Sequence, residues 1–470
     1  MLKVFEHHVP TSTVLELLAD GLLCFVAVLI AAMLLPTGAI SSHGIQLSVS
    51  QLLLPAAAFS AFMALLYSFF GMYRRGAISV SSKALLGRAL LAVVMGACVA
   101  YLALEAEGST RYALPLLASA VPLMLVGVAM VRGFVFLARR ASVGVRRVLI
   151  VGTGAEAQGV ARELSAGGSM RHTVVGFYDA AGGESTFEGA SNQSIFPSSF
   201  TIDQIVQKHR VDEVIVAVRE QRGGSVPMDQ LLACRIRGIP VLDLAGFFER
   251  AKGEVPTESL KASWLVYGHG FVQGRVRTTT KRVFDLLASL LLLTIALPVM
   301  LLTALAVRLE SRGPIIYRQE RVGLGGRSFM CLKFRSMRTD AEKDGVARWA
   351  TKNDSRVTRV GSFIRKCRID ELPQLISVLR GEMSLVGPRP ERPSFVAQLH
   401  EQIPYYDIRH SVKPGVTGWA QVRYSYGASV EDARRKHQFD LYYVKNNSLF
   451  LDLLVLVETV SVVLFREGAQ

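Results

Sequence analysis

Four long apolar runs open the chain, and they constrain its fold more than any other feature. They cover residues 14–35, 52–72, 84–104 and 112–137. Each run is about 20 residues or longer, which lets a helix cross a hydrocarbon core of about 30 Å. Four buried helices of a soluble protein are the alternative, but soluble helices rarely stay apolar on every face. We therefore predict a four-helix transmembrane domain over residues 1–140.

The charges between these runs predict their orientation. The loop of residues 36–51 has no Lys or Arg, whereas Arg74 and Arg75 lie in the next loop and Arg139 and Arg140 follow the fourth run. Cytoplasmic loops carry the excess of Lys and Arg. Both ends of the four-helix block, and everything after it, are therefore expected in the cytoplasm.

Composition supports a membrane protein with a basic catalytic or binding region. Hydrophobic residues make up 50% of the chain and charged residues 19%, against about 25% charged residues in a typical soluble domain. Residues 279–470 hold 29 Lys and Arg against 19 Asp and Glu, a surplus that suits phosphates, anionic headgroups or nucleic acid. The five cysteines form no CxxC or Cys/His cluster, which argues against a disulfide framework or a zinc site.

After Arg147 the pattern changes to short apolar segments. Residues 148–151 predict a buried strand, and further strands are predicted at 174–178, 214–218 and 240–244. Strands that alternate with helical stretches indicate an α/β domain. We predict a Rossmann-like domain over residues 141–265.

A glycine-rich turn joins the first of these strands to a helix. It reads Gly152-x-Gly154-x-x-Ala157, and Asp179 ends the next strand, where a carboxylate could bind a ribose hydroxyl. A turn of this kind also serves close packing alone. A nucleotide or sugar-nucleotide site and a ligand-free regulatory or oligomerising domain therefore both remain open.

A fifth apolar run, residues 283–307, contains Pro298 and has basic residues on both flanks. Twenty-five residues would make a straight helix of ~38 Å, long enough to span a bilayer. Pro298 removes one helix hydrogen bond, and the arms on either side, about 15 and 10 residues, are too short to span alone. We favour a re-entrant helix-break-helix over residues 279–312 that returns to the cytoplasmic face, with a full crossing as the alternative.

Residues 313–470 carry several unusual strings. Adjacent carboxylates, Asp370 and Glu371, stand among Arg365, Lys366 and Arg368. One carboxylate could attack phosphorus or take a proton, and the other could bind a divalent cation. The nearby cations are expected to lower both carboxylate pKa values and to neutralise phosphate oxygens. An ordinary solvated charged helix is the alternative for the pair taken by itself.

Five strings occur in order, and together they resemble the bacterial sugar transferase family, the monotopic phosphoglycosyl transferases. The resemblance covers about residues 279–470. The preceding four helices and Rossmann-like domain are similar to the long polyprenyl-phosphate hexose-1-phosphate transferases, and the C-terminal strings most resemble the EpsB-type undecaprenyl-phosphate glucose phosphotransferases of exopolysaccharide synthesis. The five strings are Lys333-Phe334-Arg335-Ser336-Met337, residues 354–361, residues 364–374, residues 381–390 and residues 412–421.

The resemblance implies a reaction and a site. A hexose-1-phosphate would pass from a UDP-sugar, UDP-glucose before UDP-galactose, to undecaprenyl phosphate with release of UMP. Asp370 would be the nucleophile that forms a phosphosugar intermediate, Glu371 would bind Mg²⁺, and the re-entrant helix would break at Pro298. The expected phosphate-binding residues are Lys333, Arg335, Arg365 and Arg389.

The same resemblance implies an enzyme of the bacterial inner membrane with its catalytic domain on the cytoplasmic face. Homo-oligomers and contacts with other polysaccharide-assembly proteins are further expectations. No nucleic-acid partner is expected, because the basic residues cluster with carboxylates and no nucleic-acid-binding motif occurs. A non-catalytic membrane scaffold is the rival function, and the intact acidic pair argues against it.

Overall fold

The computed structural model describes residues 2–4, 7–9, 11–34, 49–73, 82–106, 110–140, 145–166, 172–180, 194–218, 226–257, 260, 265, 270–271, 273–341, 354, 356–424, 427 and 429–465. The loop charges Arg74 and Arg75 and residues 36–48 of the preceding loop lie outside these ranges. The chain forms two units, mainly residues 8–251 and residues 252–470.

The first unit begins with helices that are apolar over most of their length. Each of the four is long and apolar enough to cross a membrane, and only 22–28% of each apolar window is buried. Most of that apolar surface therefore faces outward, as it would in lipid. Two short strands, β1 (Leu2–Val4) and β2 (His7–Val9), precede helices α1 (Thr11–Met33), α2 (Val49–Phe69), α3 (Ser82–Ala106) and α4 (Thr110–Arg140).

The two carboxylates of α1 are paired within the bundle. Arg132 of α4 donates to Glu16 at 2.7 Å and to Asp20 at 2.5 Å, and the Tyr73 hydroxyl donates to Asp20 at 2.8 Å. Asp20 is fully buried. An unpaired charge would be costly there, so this cluster explains how an apolar helix tolerates two acidic residues.

A five-stranded parallel sheet follows, in the order β5-β4-β3-β6-β7. This confirms the predicted parallel α/β architecture; β5 is the strand that the sequence analysis missed. The elements are β3 (Arg146–Val151), α5 (Ala155–Ala166), β4 (His172–Tyr178), β5 (Ser194–Phe196), α6 (Ile202–His209), β6 (Glu213–Val216), α7 (Met228–Ile236), β7 (Val241–Asp243) and α8 (Leu244–Lys252).

The glycine-rich turn of this sheet has a packing explanation. Gly152 has a φ of +119°, and a Cβ there would lie 2.8 Å from the carbonyl oxygen of Ala217. Ala157 is buried beneath the sheet, whereas Gly154 is exposed. The Asp179 amide donates to Phe196 at 2.9 Å. Close packing accounts for Gly152 and Ala157, and a nucleotide ligand at this turn stays a prediction.

The second unit is mainly helical, with an antiparallel pair β8–β9 and a parallel pair β10–β11. Its elements are α9 (Arg275–Glu310), β8 (Ile316–Val322), β9 (Ser328–Phe334), α10 (Arg359–Lys366), α11 (Gln374–Arg380), β10 (Ser384–Val386), α12 (Pro393–Gln402), β11 (Gly415–Thr417), α13 (Trp419–Arg423), α14 (Val430–Asn446) and α15 (Leu449–Phe465), with 3-10 turns at Leu324–Gly326, Ile369–Glu371 and Tyr406–Ser411.

This unit begins earlier than the predicted boundaries at 265 and 279. Trp419 donates through Nε1 to the carbonyl oxygen of Gly253 at 2.7 Å, and the Val255 amide donates to Gln438 at 3.0 Å. Val255 is fully buried in the core that also contains Trp419 and Tyr442. The segment after Ala251 therefore packs with the second unit.

Helix α9 contains the fifth apolar run, and it is one continuous helix. Pro298 lies inside it, so the predicted division into two helices is not observed. A proline removes only one backbone hydrogen bond, and its fixed φ is compatible with a helix. Only 11% of the apolar window is buried, which leaves the middle of the helix free to contact lipid.

Candidate active site

A cavity of about 630 Å³ lies within the second unit. It gathers most of the residues that the sequence predicted for phosphate chemistry, including Arg365, Asp370 and Arg389. Glu371 lies just behind its wall and is 7% exposed. The cationic lining residues are Arg321, Lys333, Arg335, Arg338, Arg365, Arg368, Arg389, Arg392, Arg409 and Lys436.

A tight turn separates the two acidic side chains. Helix α10 ends at Lys366, and Arg368 then adopts a left-handed conformation (φ 58°) before the 3-10 turn Ile369–Glu371. Neighbouring residues of a 3-10 helix point about 120° apart. Asp370 therefore faces the cavity, while Glu371 turns toward Lys333 of β9 and Arg389 of the segment after β10.

Glu371 is held by cations. Its Oε1 accepts from Lys333 Nζ at 2.9 Å and from Arg389 Nη2 at 2.7 Å, and its Oε2 lies 3.7 Å from Arg368. Burial opposes ionisation of this carboxyl. The charges of Arg389, Lys333 and Arg368 nevertheless hold the pKa of Glu371 well below its usual range, so it is an anion at neutral pH.

Asp370 has the opposite surroundings. It is 7% exposed, and its Oδ1 has no hydrogen-bond partner among the described residues. Burial and the charge of Glu371 raise the pKa of Asp370, although Lys333, Arg368 and Arg365 act against the rise. The prediction that nearby cations lower both pKa values is thus wrong for Asp370, because its desolvation outweighs their attraction.

The backbone around Arg389 is fixed by close strand pairing. The Gly387 amide donates to Thr417 at 2.9 Å, and the Gly415 amide donates to Pro388 at 2.9 Å. A Cβ on Gly387 would lie 2.3 Å from the carbonyl oxygen of Lys413. Only glycine allows this approach of the two chain segments, which places the Arg389 side chain over Glu371.

Residues that sequence reasoning did not assign to the site also hold Arg389. Gln421 accepts from its Nη1 at 3.0 Å, and Arg409 donates to its carbonyl oxygen at 2.9 Å. Arg409 is itself paired with Asp440 at 2.8 Å, and both are almost completely buried. An aspartate among the apolar residues of α14 indicates a buried ion pair, but the local sequence does not identify its partner.

Arg335 lines the cavity and also bonds to the backbone at the end of α9, so its phosphate contact stays a prediction. It is 6% exposed, and both terminal nitrogens donate to backbone oxygens, those of Val307, Ser311 and Arg312. Its side chain anchors the end of α9. Arg365 lines the cavity from the last turn of α10 and acts electrostatically on Asp370.

The acidic pair has carboxylate oxygens that could bind Mg²⁺. No group of three or more His, Cys, Asp or Glu that could hold a metal occurs among the described residues. Oε1 of Glu371 is occupied by two cations, whereas, within the described part of the chain, Oε2 has only the distant Arg368 and Oδ1 of Asp370 lacks a partner. Mg²⁺ often takes one or two carboxylates and otherwise waters and substrate phosphates. The pair fits an ion held in that way.

The cavity-bearing region matches a known family, and relatives extend the match. The bacterial sugar transferase model matches residues 276–466. The chain is 41% identical over 261 residues to a UDP-N-acetylgalactosamine-undecaprenyl-phosphate N-acetylgalactosaminephosphotransferase of Aeromonas hydrophila, covering 56% of this chain and 61% of that protein. It is 37% identical over 334 residues to an undecaprenyl-phosphate glucose phosphotransferase of Komagataeibacter xylinus, covering 69% and 60%.

A third relative is matched over more of its length. The UDP-glucose:undecaprenyl-phosphate glucose-1-phosphate transferase of Xanthomonas campestris pv. campestris is 32% identical over 351 residues, which cover 72% of this chain and 71% of that protein. The chain spans only about three fifths of the first two relatives. The extent of the third match, together with the family match over the cavity-bearing region, shows that the chain belongs to the bacterial sugar transferase family.

Proposed function

We propose that the protein transfers a hexose-1-phosphate from a UDP-sugar to undecaprenyl phosphate, which yields undecaprenyl-diphosphate sugar and UMP. One observation carries the proposal. Asp370 presents a buried, unpartnered carboxylate oxygen to a basic cavity, directly beside a glutamate fixed by Lys333 and Arg389. The names of the three relatives support the same chemistry and the same lipid acceptor.

In the first half-reaction Oδ1 of Asp370 attacks the phosphorus that bears the sugar. A bond forms between that oxygen and phosphorus, and the bond from phosphorus to the bridging oxygen breaks. UMP leaves with the electron pair of the broken bond, and a phosphosugar remains on Asp370. Phosphoryl transfer spreads negative charge over the phosphoryl oxygens. The cations that line the cavity, Arg365 and Arg389 among them, are placed to stabilise that charge.

In the second half-reaction a phosphate oxygen of the lipid attacks the same phosphorus. The bond to Asp370 breaks, and its carboxylate recovers the electron pair. A covalent intermediate lets a soluble donor and a lipid acceptor use one site in turn. Ping-pong kinetics follow from this sequence of events.

Glu371 is the residue that we propose as a Mg²⁺ ligand. The ion would supply positive charge to the diphosphate. The depressed pKa of Glu371, caused by Arg389 and Lys333 in spite of burial, keeps the carboxylate ionised for that role. Lys333 and Arg389 meanwhile orient Glu371 from the other side.

Glucose is the sugar that we propose. Two of the three relatives carry glucose in their names, and the third carries N-acetylgalactosamine. Galactose, for O-antigen or capsule, is the alternative. The product would be the lipid-linked first sugar of an exopolysaccharide repeat unit.

We place the active site on the cytoplasmic face of the bacterial inner membrane, with both ends of the continuous helix α9 on that face. Both arms of α9 bond to the second unit, Asp285 to Leu385 in the first arm and Val307 to Arg335 in the second. A helix that crossed the bilayer completely would separate these two contacts by the membrane. The arms therefore favour a return to the same side.

Release of UMP from a panel of UDP-sugars tests the function. The full-length protein in lipid nanodiscs would receive Mg²⁺ and undecaprenyl phosphate, with omission of the lipid as the control. Lipid-dependent release from one sugar would support the reaction and identify the donor. Absence of release from every sugar by folded protein would contradict it and favour a scaffold.

A further inference from the structure

The first arm of α9 bonds to the strand that leads to Arg389. Asp285 is 2% exposed, and its Oδ1 accepts from the Leu385 amide at 3.1 Å, 100 residues away in sequence. Leu385 is the middle residue of β10, and its neighbours Ser384 and Val386 are the ones in register with β11. The Leu385 amide therefore faces away from β11, and a buried amide needs an acceptor. Asp285 supplies it.

The second arm bonds to the strand that carries Lys333. Arg335 follows β9 directly and is buried. Its Nη2 donates to the carbonyl oxygens of Val307 at 3.3 Å and Ser311 at 2.7 Å, and its Nη1 donates to Arg312 at 3.1 Å. The end of β9 is thereby fixed to the end of α9.

Side chains from these two parts of the unit donate to the same oxygen atom. Lys333 from β9 and Arg389 from the segment after β10 both donate to Oε1 of Glu371. We propose that Asp285 and Arg335 are positioning residues, which act through β10 and β9 to set where these two cations stand. The inference rests on the proposed function, and it adds that the membrane helix takes part in arranging the site.

The path from Leu385 to Arg389 is short and stiff enough to transmit a shift. Gly387 and Pro388 are hydrogen-bonded to the β11 segment, and prolines precede and follow Arg389, which restrict the backbone there. A misplacement of about 1 Å at a catalytic group can cost roughly 100-fold in rate. Loss of the Asp285 bond should therefore be visible in turnover.

Three variants in lipid nanodiscs test Asp285. Asp285→Leu removes the acceptor at similar volume, and Asp285→Asn keeps an acceptor oxygen. Thr303→Val is the matched control, since Thr303 is a buried hydroxyl of α9 that, among the residues described, bonds within its own helix, to Val299 at 2.7 Å. We expect Asp285→Leu to lower kcat for UMP release roughly 10- to 100-fold and to increase hydrogen exchange in residues 384–392. The other two variants should stay near the parent in both measurements.

A double variant separates positioning from general destabilisation. If Asp285 acts through Arg389, the loss caused by Asp285→Leu should largely disappear when Arg389 is already Lys, because coupled residues are not additive. Losses that multiply in full, or unchanged exchange in residues 384–392, would overturn the inference.

Arg335 has a parallel test on the other strand. Arg335→Met should increase exchange in residues 328–334 and lower kcat, whereas Arg308→Met, which loses only an exposed bond to Gly313, should not. Equal behaviour of the two variants would refute the role of Arg335. If the parent releases no UMP from any donor, the proposed function fails, and the exchange measurements alone decide whether Asp285 and Arg335 order the two strands.

Discussion

Gln421 accepts a hydrogen bond from Nη1 of Arg389 at 3.0 Å, while Nη2 of the same guanidinium donates to Glu371. The fork of an arginine is planar, so two acceptors at its two ends fix its orientation. Gln421 is in turn held by its Nε2, which donates to Val416 at 3.2 Å. The neutral amide thus orients a cation that the reaction would need.

Replacing Gln421 with Met should therefore lower kcat by roughly tenfold, because the guanidinium loses an orienting hydrogen bond, worth about 1.5–3 kcal/mol when a charged group is involved. Gln421→Glu keeps an acceptor oxygen and should retain more activity. Initial rates of UMP release measure both variants. Equal loss in the two would contradict an orienting role.

Asp370→Asn should abolish turnover and also stabilise the fold. Burial and the Glu371 charge raise the pKa of Asp370. A carboxyl whose pKa is raised on folding contributes stability below its unfolded pKa, and that contribution is lost as pH rises through the folded pKa. At neutral pH the buried negative charge of Asp370 therefore destabilises the folded protein. Its removal should raise Tm by about 2–4 °C for each kcal/mol of folding stability gained.

Thermal unfolding in detergent and UMP release together check this prediction. Asp203→Asn, in the α/β sheet domain, is the control and should leave turnover unchanged, because Asp203 pairs with the exposed Arg237. If Asp370→Asn retains turnover, Asp370 is not the nucleophile. A lower Tm for this variant would contradict the prediction that the buried charge destabilises the fold.

Turnover should fall in acid as Asp370 takes up a proton, with a midpoint above the ordinary aspartate pKa of 3.8, because burial raises the pKa of Asp370. Arg368 is one of the cations that oppose this rise. Arg368→Gln should therefore move the acid limb of kcat to higher pH. Arg359→Gln, which removes an exposed cation of the same region, should leave the limb in place.

Local pattern predicted the long apolar helices and four of the five strands of the parallel sheet, since continuous apolar runs and short apolar segments are properties of neighbouring residues. Asp370, Glu371 and Arg389 were recognised because they belong to dense strings. The contacts that organise them were not, because Asp285 reaches Leu385 across 100 residues and Arg409 reaches Asp440 across 31. Such pairings depend on how the elements pack.

Arg335 makes contacts that its sequence string does not reveal. It stands two residues from Lys333 in the same string, so a common phosphate role was the natural prediction. Residues two apart in a strand point to the same face, so strand geometry alone would place Lys333 and Arg335 on one face. Their contacts differ because Arg335 directly follows β9, where the carbonyl groups of residues 307 and 311–312 accept hydrogen bonds from its guanidinium.

Gly387→Ala should damage both stability and activity. The added methyl would lie 2.3 Å from the Lys413 carbonyl oxygen and 2.9 Å from the Gly415 amide, so β10 and β11 would have to separate. Overpacking of this kind costs about 1–3 kcal/mol, and Arg389 would move with the strand. Gly274→Ala is the matched control because its Cβ meets nothing within 4 Å. Equal Tm values for the two variants would disprove the close approach.

Removal of divalent cations should stop UMP release, and Glu371→Gln should need more Mg²⁺ to reach half-maximal rate. Two effects are combined in this variant, because Glu371 also holds Lys333 and Arg389. Lys333→Met disturbs the same arrangement but leaves the carboxylate. If Glu371 binds the ion, the Mg²⁺ requirement rises for Glu371→Gln and not for Lys333→Met, although kcat falls in both. A Mg²⁺ requirement that is unchanged in Glu371→Gln would assign Glu371 to the orientation of cations alone, since a ligand lost from the ion must weaken its binding.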